Sequence, residues 1–220
     1  TSPVISVNEI ENNGMKFGTT GRPIADVHVK IAEDGEILVK GPNVMMGYYN
    51  RQDLTDEVLK NGWFHTGDIG ELVDGEYLKI TDRKKEIFKT SGGKYIAPQI
   101  MENKFKESRF IEQIIVVGEY QKHPSALIVP TFEFLEEWCK RKKIDCSSRE
   151  KMLSDQRVID RFQEEVDHYN APFGKWEKIK KFELLPEEFT VENDMVTPTL
   201  KLKRKVIHAK YGALIDEIYS

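Results

Sequence analysis

The sequence predicts an α+β fold in two parts, an antiparallel β subdomain over residues 1–84 followed by a small α+β domain over residues 85–220. Two segments of alternating polarity that turn at Asp-Gly pairs predict the first part. A change of pattern after Asp82, to helical periods interleaved with β-branched runs, predicts the second. In "DVHVKIAEDGEILVKG", Val27, Val29 and Ile31 alternate with His28 and Lys30, and Ile37 and Val39 resume beyond Asp34-Gly35. "GDIGELVDGEYLKITD" repeats the device at Asp74-Gly75. A period of two marks half-buried strands, and Asp-Gly supplies the positive φ angles of a type I′ turn. Between the hairpins, "RQDLTDEVLKNG" predicts a short helix ended by Gly62.

The boundary falls near Arg83 to Glu86. Beyond it, "APQIMENKFKESRF" predicts a helix with Pro98 in its first turn and Ile100, Met101, Phe105 and Ser108 facing inward. "IEQIIVVG" and "SALIVP" are strand-like runs joined by a polar loop with Gly118 and Pro124. "FEFLEEWCKRKKI" and "RVIDRFQEEVDHYN" carry helical periodicity, and "WEKIKKFELLP" ends in a strand. Trp63, Phe64, Trp138 and Trp176 are expected in packing roles. No internal repeat or low-complexity tract is found.

Composition narrows the function classes. With 39% hydrophobic and 32% charged residues, the 220-residue chain is expected to be a soluble globular protein. No run approaches the ~20 apolar residues of a membrane span, and no signal-peptide pattern opens the chain. A net charge of −4 argues against a dedicated nucleic-acid binder. Cys139 and Cys146 match no zinc or redox spacing and are expected as ordinary thiols of a reducing compartment. The scattered histidines predict no protein-built metal site. The opening at Thr1, without a methionine, fits a fragment.

The stretch "DRKKEIFKTSGGKYIAP", residues 82–98, combines basic side chains with a Gly-Gly pair. Its spacing does not fit a P-loop. Glycines in a strand mark either the close approach of a ligand or backbone, or a β-bulge. Taken alone, "HTGD" is a strand-end turn with a solvated Asp68, whereas the always-charged fork of Arg83 favours a ligand contact over a surface salt bridge. Glutamates and apolar residues interrupt the basic runs at 83–94 and 201–205, which disfavours a continuous nucleic-acid face.

Together, "GEILVKGPNVMMGYY", "GWFHTGDIG", "DRKKEIFKTSGGKYIAP" and "TPTLKLKRK", in that order, resemble the acyl-adenylate-forming (AMP-binding) enzymes, and within them the AMP-forming long-chain fatty acid–CoA ligases. The resemblance implies that residues 1–84 end a large domain, with "TSPVIS" continuing the family's Tyr-Gly-x-Thr-Glu element, and that residues 85–220 form its small mobile C-terminal domain. It implies an acid–thiol ligase that adenylates a fatty acid with ATP and passes the acyl group to coenzyme A. Mg2+ would be held through the phosphates and by the part upstream of Thr1. Without that part, the fragment alone is expected to be inactive.

By the same resemblance, Asp68 accepts hydrogen bonds from the ribose 2′ and 3′ hydroxyls, as an acceptor-only carboxylate can, and Arg83 contacts ribose or phosphate. Lys85 is the hinge. Gly92 and Gly93, flanked by Ser91 and Lys94, line the coenzyme A tunnel. Lys201 is the catalytic lysine of adenylation, although Leu200 stands where many relatives have glycine. Lys203, Arg204 and Lys205 form a solvated basic face near the coenzyme A phosphates. Alternatives are a fatty acyl-AMP ligase that loads an acyl carrier protein, and a non-catalytic nucleotide- or nucleic-acid-binding module. The expected partners are fatty acid, ATP and coenzyme A, with no nucleic acid. The expected location is the cytoplasm, with peripheral membrane contact as an option.

Overall fold

Each part of the chain builds its own sheet and its own core. The computed structural model describes residues 2–11 and 14–220, so Thr1 of "TSPVIS" lies outside the described residues. The backbone divides into two units, Thr1–Ile87 and Phe88–Ser220. Their mixture of antiparallel sheets and helices is the α+β class that the sequence predicts.

In the first unit, β1 (Ser6–Val7) pairs with β2 (Arg22–Pro23). A five-stranded antiparallel sheet follows from β3 (His28–Ile31), β4 (Glu36–Lys40), β5 (Leu59–Lys60), β6 (Trp63–Val73) and β7 (Tyr77–Arg83), with helix α1 (Gln52–Val58) preceding β5. The long β6 is the spine: β4, β5 and β7 all pair with it. Val27, Ile37, Val39 and Leu78 form the buried centre, with Val29 and Ile31 packed on it, as alternation requires.

Two turn expectations are corrected. Asp74 and Gly75 do adopt positive φ (53° and 77°), and the Glu76 N–H donates to the Val73 carbonyl at 3.2 Å, as in a type I′ turn. At the first hairpin only Gly35 has positive φ (82°); Ala32 N–H donates to Glu36 O and Gly35 N–H to Ala32 O, closing a three-residue loop with a left-handed glycine last. Gly62 does not end α1. Asn61 and Gly62, with φ of 52° and 75°, turn β5 into β6, because Leu59 and Lys60 pair with Phe64 and Trp63 instead of continuing the helix.

The second unit opens with the hairpin β8 (Phe88–Lys89) and β9 (Tyr95–Ile96), followed by α2 (Pro98–Phe105). Its sheet comprises β10 (Ile111–Val117), β11 (Ser125–Pro130) and β12 (Lys181–Leu184), with β11 central, antiparallel to β10 and parallel to β12. A parallel partner needs a crossover, and α3 (Phe132–Lys142), α4 (Arg149–Ser154) and α5 (Gln156–Tyr169) supply it. Every residue of β11 is buried, which explains its unbroken apolar run. The final helix, α6 (Arg204–Tyr219), places Ile207, Ile215 and Ile218 in the same core as Phe105, Ile115, Ile128 and Phe162.

Four details of this unit depart from expectation. In α2, Met101 and Phe105 face inward, but Ile100 is exposed and Glu102 is buried in its stead. Ser108 is buried beyond the helix end, where its hydroxyl donates to Glu165. Trp176 is half exposed rather than packed. Arg204 is no part of a solvated face: its Nη2 donates to both oxygens of Glu102 at 2.7 Å and its Nη1 to the Val116 carbonyl at 3.3 Å.

Candidate functional site: the Asp68–Arg83 strand ends and the Lys201 hairpin

In the first unit, a register shift between Ile69 and Gly70 sets Asp68 opposite Arg83 across β6 and β7. Gly70 permits this, since a Cβ there would lie 2.3 Å from the Lys79 carbonyl oxygen. Just before it, Thr66 Oγ1 donates to Ile37 O at 2.7 Å and accepts the Asp68 N–H at 3.1 Å, while Gly67 has φ 73°. The chain therefore turns at 66–68 and presents Asp68 at the surface. Arg83 Nε stands 3.8 Å from Asp68 Oδ1, with both side chains well exposed. Such an exposed pair contributes little to stability.

Local sequence patterns do not mark Glu36 as part of this site. It is buried, and its carboxylate accepts from the Gly67 N–H at 3.0 Å and from Lys84 Nζ at 2.9 Å, and bonds His65 Nδ1 at 2.9 Å. Burial pushes the Glu36 carboxyl up, but the hydrogen bonds from His65, Lys84 and Gly67 outweigh it and hold the group below its ordinary range. Lys84 also pairs with Asp34 at 2.6 Å, and its N–H donates to Gly67 O at 2.9 Å. Hydrogen bonds to Asp34 and Glu36 raise the Lys84 ammonium. A cavity of about 360 Å³ opens beside this cluster, lined in part by Glu36, Tyr48, His65, Gly67, Lys84 and Lys85.

A pH dependence is expected from this cluster. Glu36 has an ordinary value of 4.5 and a lower folded one, so its contribution is present above pH 4.5 and is lost as pH falls through the folded value. Glu36→Gln is expected to cost the first unit about 1–3 kcal/mol near neutrality and to flatten its acid sensitivity. Thermal unfolding across a pH series checks this. An unchanged acid limb would contradict it.

Lys85 is exposed in the turn after Arg83, where Glu86 and Ile87 N–H groups both donate to Arg83 O. In the second unit, Ser91, Gly92, Gly93 and Lys94 share one exposed turn. The glycines thus sit between β8 and β9, not within a strand. Thr90 N–H donates to Lys94 O and Gly93 N–H to Thr90 O, both at 2.9 Å, and Gly93 has φ 75°. A Cβ at Gly92 would meet only Thr90 Oγ1 at 3.9 Å, and one at Gly93 nothing within 4 Å. Lys94 Nζ lies over the Trp176 ring, 5.2 Å from its centroid. Gly93→Ala should destabilise the second unit by roughly 1–2 kcal/mol through its left-handed backbone, and Gly92→Ala by less than about 0.5 kcal/mol. Urea midpoints for the two variants compare them directly, and equal midpoints would contradict the turn geometry.

Lys201 stands on a separate loop of the second unit, exposed, three residues before the Arg204–Glu102 pair. The structure therefore brings Asp68 and Arg83 together, gathers residues 91–94 in one turn, and carries Lys201 on a loop of its own.

Residues 85–220 match the family model described as the AMP-binding enzyme C-terminal domain. The chain belongs to the AMP-binding enzymes. Among relatives of this AMP-binding chain, the long-chain-fatty-acid–CoA ligase FadD15 of Mycobacterium tuberculosis is 37% identical over 221 residues, covering 100% of the chain and 36% of that protein. Long chain acyl-CoA synthetase 2 of Arabidopsis thaliana is 34% identical over 92% of the chain and 33% of its own length. Human long-chain-fatty-acid–CoA ligase 1 is 38% identical over 85% and 27%. The chain thus spans about a third of the length of such relatives. Among solved structures, O-succinylbenzoate coenzyme A synthetase of Bacillus subtilis in complex with AMP is similar at TM-score 0.61 and 25% identity, over 86% of this chain and 35% of that one. The adenylation domain of a Mycobacterium chelonae carboxylate reductase shares the fold at TM-score 0.73 and 21% identity, over 93% and 34%.

Proposed function

We propose that this AMP-binding chain is the C-terminal part of an AMP-forming long-chain fatty acid–CoA ligase, with residues 1–84 ending the large domain and residues 85–220 forming a mobile one hinged at Lys85. The observation that carries the nucleotide role is Asp68 beside Arg83, exposed on paired strand ends and stabilised from behind by Glu36. The ligase names of relatives matching most or all of the chain support the substrate class.

In this proposal Asp68 accepts both ribose hydroxyls of ATP and Arg83 steadies the same ribose or its phosphate. Lys201 brings an ammonium to the carboxylate oxygen and α-phosphate as negative charge grows between them. Afterwards the turn at Ser91–Lys94 lies along the pantetheine arm of coenzyme A, whose thiol attacks the acyl carbon and releases AMP. Among the described residues no cluster of three or more His, Cys, Asp or Glu side chains could hold a cation; in this proposal Mg2+ would be held through the ATP phosphates and by the part upstream of Thr1. No helix among the described residues is long and apolar enough to cross a membrane.

The test is ATP–pyrophosphate exchange by the complete enzyme with a long-chain fatty acid. Asp68→Asn is expected to raise KM for ATP roughly 10- to 100-fold, the equivalent of one or two charge-assisted hydrogen bonds. An unaltered KM would remove Asp68 from the nucleotide site. Thioester formation on coenzyme A supports the ligase assignment, and transfer only to a carrier protein would overturn it.

A further inference from the structure

We propose that Thr197 is the positioning residue of Lys201, and that residues 196–202 are a preformed hairpin rather than a slack loop. The inference rests on the adenylation role given to Lys201 above. It starts from a mismatch: "TPTLK" has Leu200 where a flexible loop would carry glycine, yet Leu200 adopts φ 59°. A bulky residue remains left-handed only where its surroundings over-determine the backbone.

They do so here. Val196 and Leu202 form an antiparallel bridge at the neck. Above it, Thr197 N–H donates to Lys201 O at 2.8 Å, and Leu200 N–H donates to Thr197 O at 2.8 Å, closing the tip. The Thr197 hydroxyl completes the frame: Oγ1 accepts the Lys201 N–H at 3.1 Å and lies 3.0 Å from Thr199 Oγ1. Thr197 thus grips both backbone polar groups of Lys201. Below the neck, Met195 and Val196 are buried, and Lys203 N–H donates to Met195 O at 2.8 Å. The next residue, Arg204, is locked to Glu102 and to the Val116 carbonyl.

The Lys201 backbone is therefore fixed on both sides while its side chain projects from the surface. An ammonium that stabilises transition-state charge gains most when its carrier needs no reorganisation. Threonine suits position 197 because its branched side chain is restricted at χ1 and offers an acceptor. Valine keeps the shape and loses the acceptor.

The experiment measures both half-reactions in the complete ligase, as ATP–pyrophosphate exchange and as thioester formation from supplied acyl-AMP. Thr197→Val is expected to slow exchange roughly 10- to 100-fold, the scale of a misplaced reacting group, at unchanged KM for ATP. Its thioester rate should stay at the wild-type value, which also certifies folding. Thr197→Ser should restore exchange, and adding Thr197→Val to Lys201→Ala should cause no further loss. Thr197→Val with undiminished exchange, or with both half-reactions slowed alike, would overturn the proposal while leaving Lys201 in place. Undiminished exchange by Lys201→Ala alone would instead overturn the adenylation role beneath it.

Discussion

Replacing Lys201 with alanine in the proposed complete ligase should slow acyl-AMP formation by roughly 10²–10³, the typical loss when one preorganised charge is removed from a developing oxyanion. Thioester formation from supplied acyl-AMP should keep its rate, because in the proposal the thiol attacks the acyl carbon with the Ser91–Lys94 turn along the site, and Lys201 serves only the adenylation step. The asymmetry is the sensitive part of the result. A general loss of structure lowers both rates, whereas loss of one ammonium at one step lowers one. Single-turnover measurements of each half-reaction separate the cases, and equal slowing would refute the role. The exposed position of Lys201 makes the substitution itself benign to folding.

Glu102→Ala should have the largest effect on stability, about 3–5 kcal/mol from the second unit. Glu102 is buried on α2, where both its carboxylate oxygens accept from Arg204 Nη2 and one accepts the N–H of Val116 at 2.8 Å. Burial pushes its carboxyl up, against the pull of Arg204, so the pair is expensive to bury and more expensive to halve. Removing the carboxylate strands a guanidinium that is itself only 19% exposed and orphans a strand N–H. The joint replacement of Glu102 and Arg204 by leucine should recover much of the loss, because no charge is left behind. Hydrogen exchange at the β10 and β11 amides reads this unit by itself. Protection unchanged in Glu102→Ala would contradict the account.

The strands are the most legible elements, since alternation and Asp-Gly turns are local signals. Asn61-Gly62 is equally local, yet the apolar spacing before it favours a helix end over a hairpin. Helix α6 is hard to read because its apolar residues are spread around the helix and the backbone at Tyr211 departs from helical angles. Asp68 and Arg83 are each visible in their motifs. Their pairing is not, because it depends on the shift at Ile69 and Gly70. The buried carboxylates show the limit most clearly. Glu36 and Glu102 resemble surface charges until partners distant in sequence are known: Lys84 for one and Arg204 for the other. Glu102 does carry one signal, its position beside Met101 and three residues before Phe105 on the inward face of α2.

The fastening of Lys84 has a mechanical consequence. Its ammonium is moored to Asp34 and Glu36 and its backbone to Gly67, so the sheet retains the chain up to residue 84. One residue later, torsion at Lys85 must release the two N–H groups that converge on Arg83 O, each worth about 0.5–1.5 kcal/mol. A swivel centred there would click between settings over a small detent instead of drifting freely.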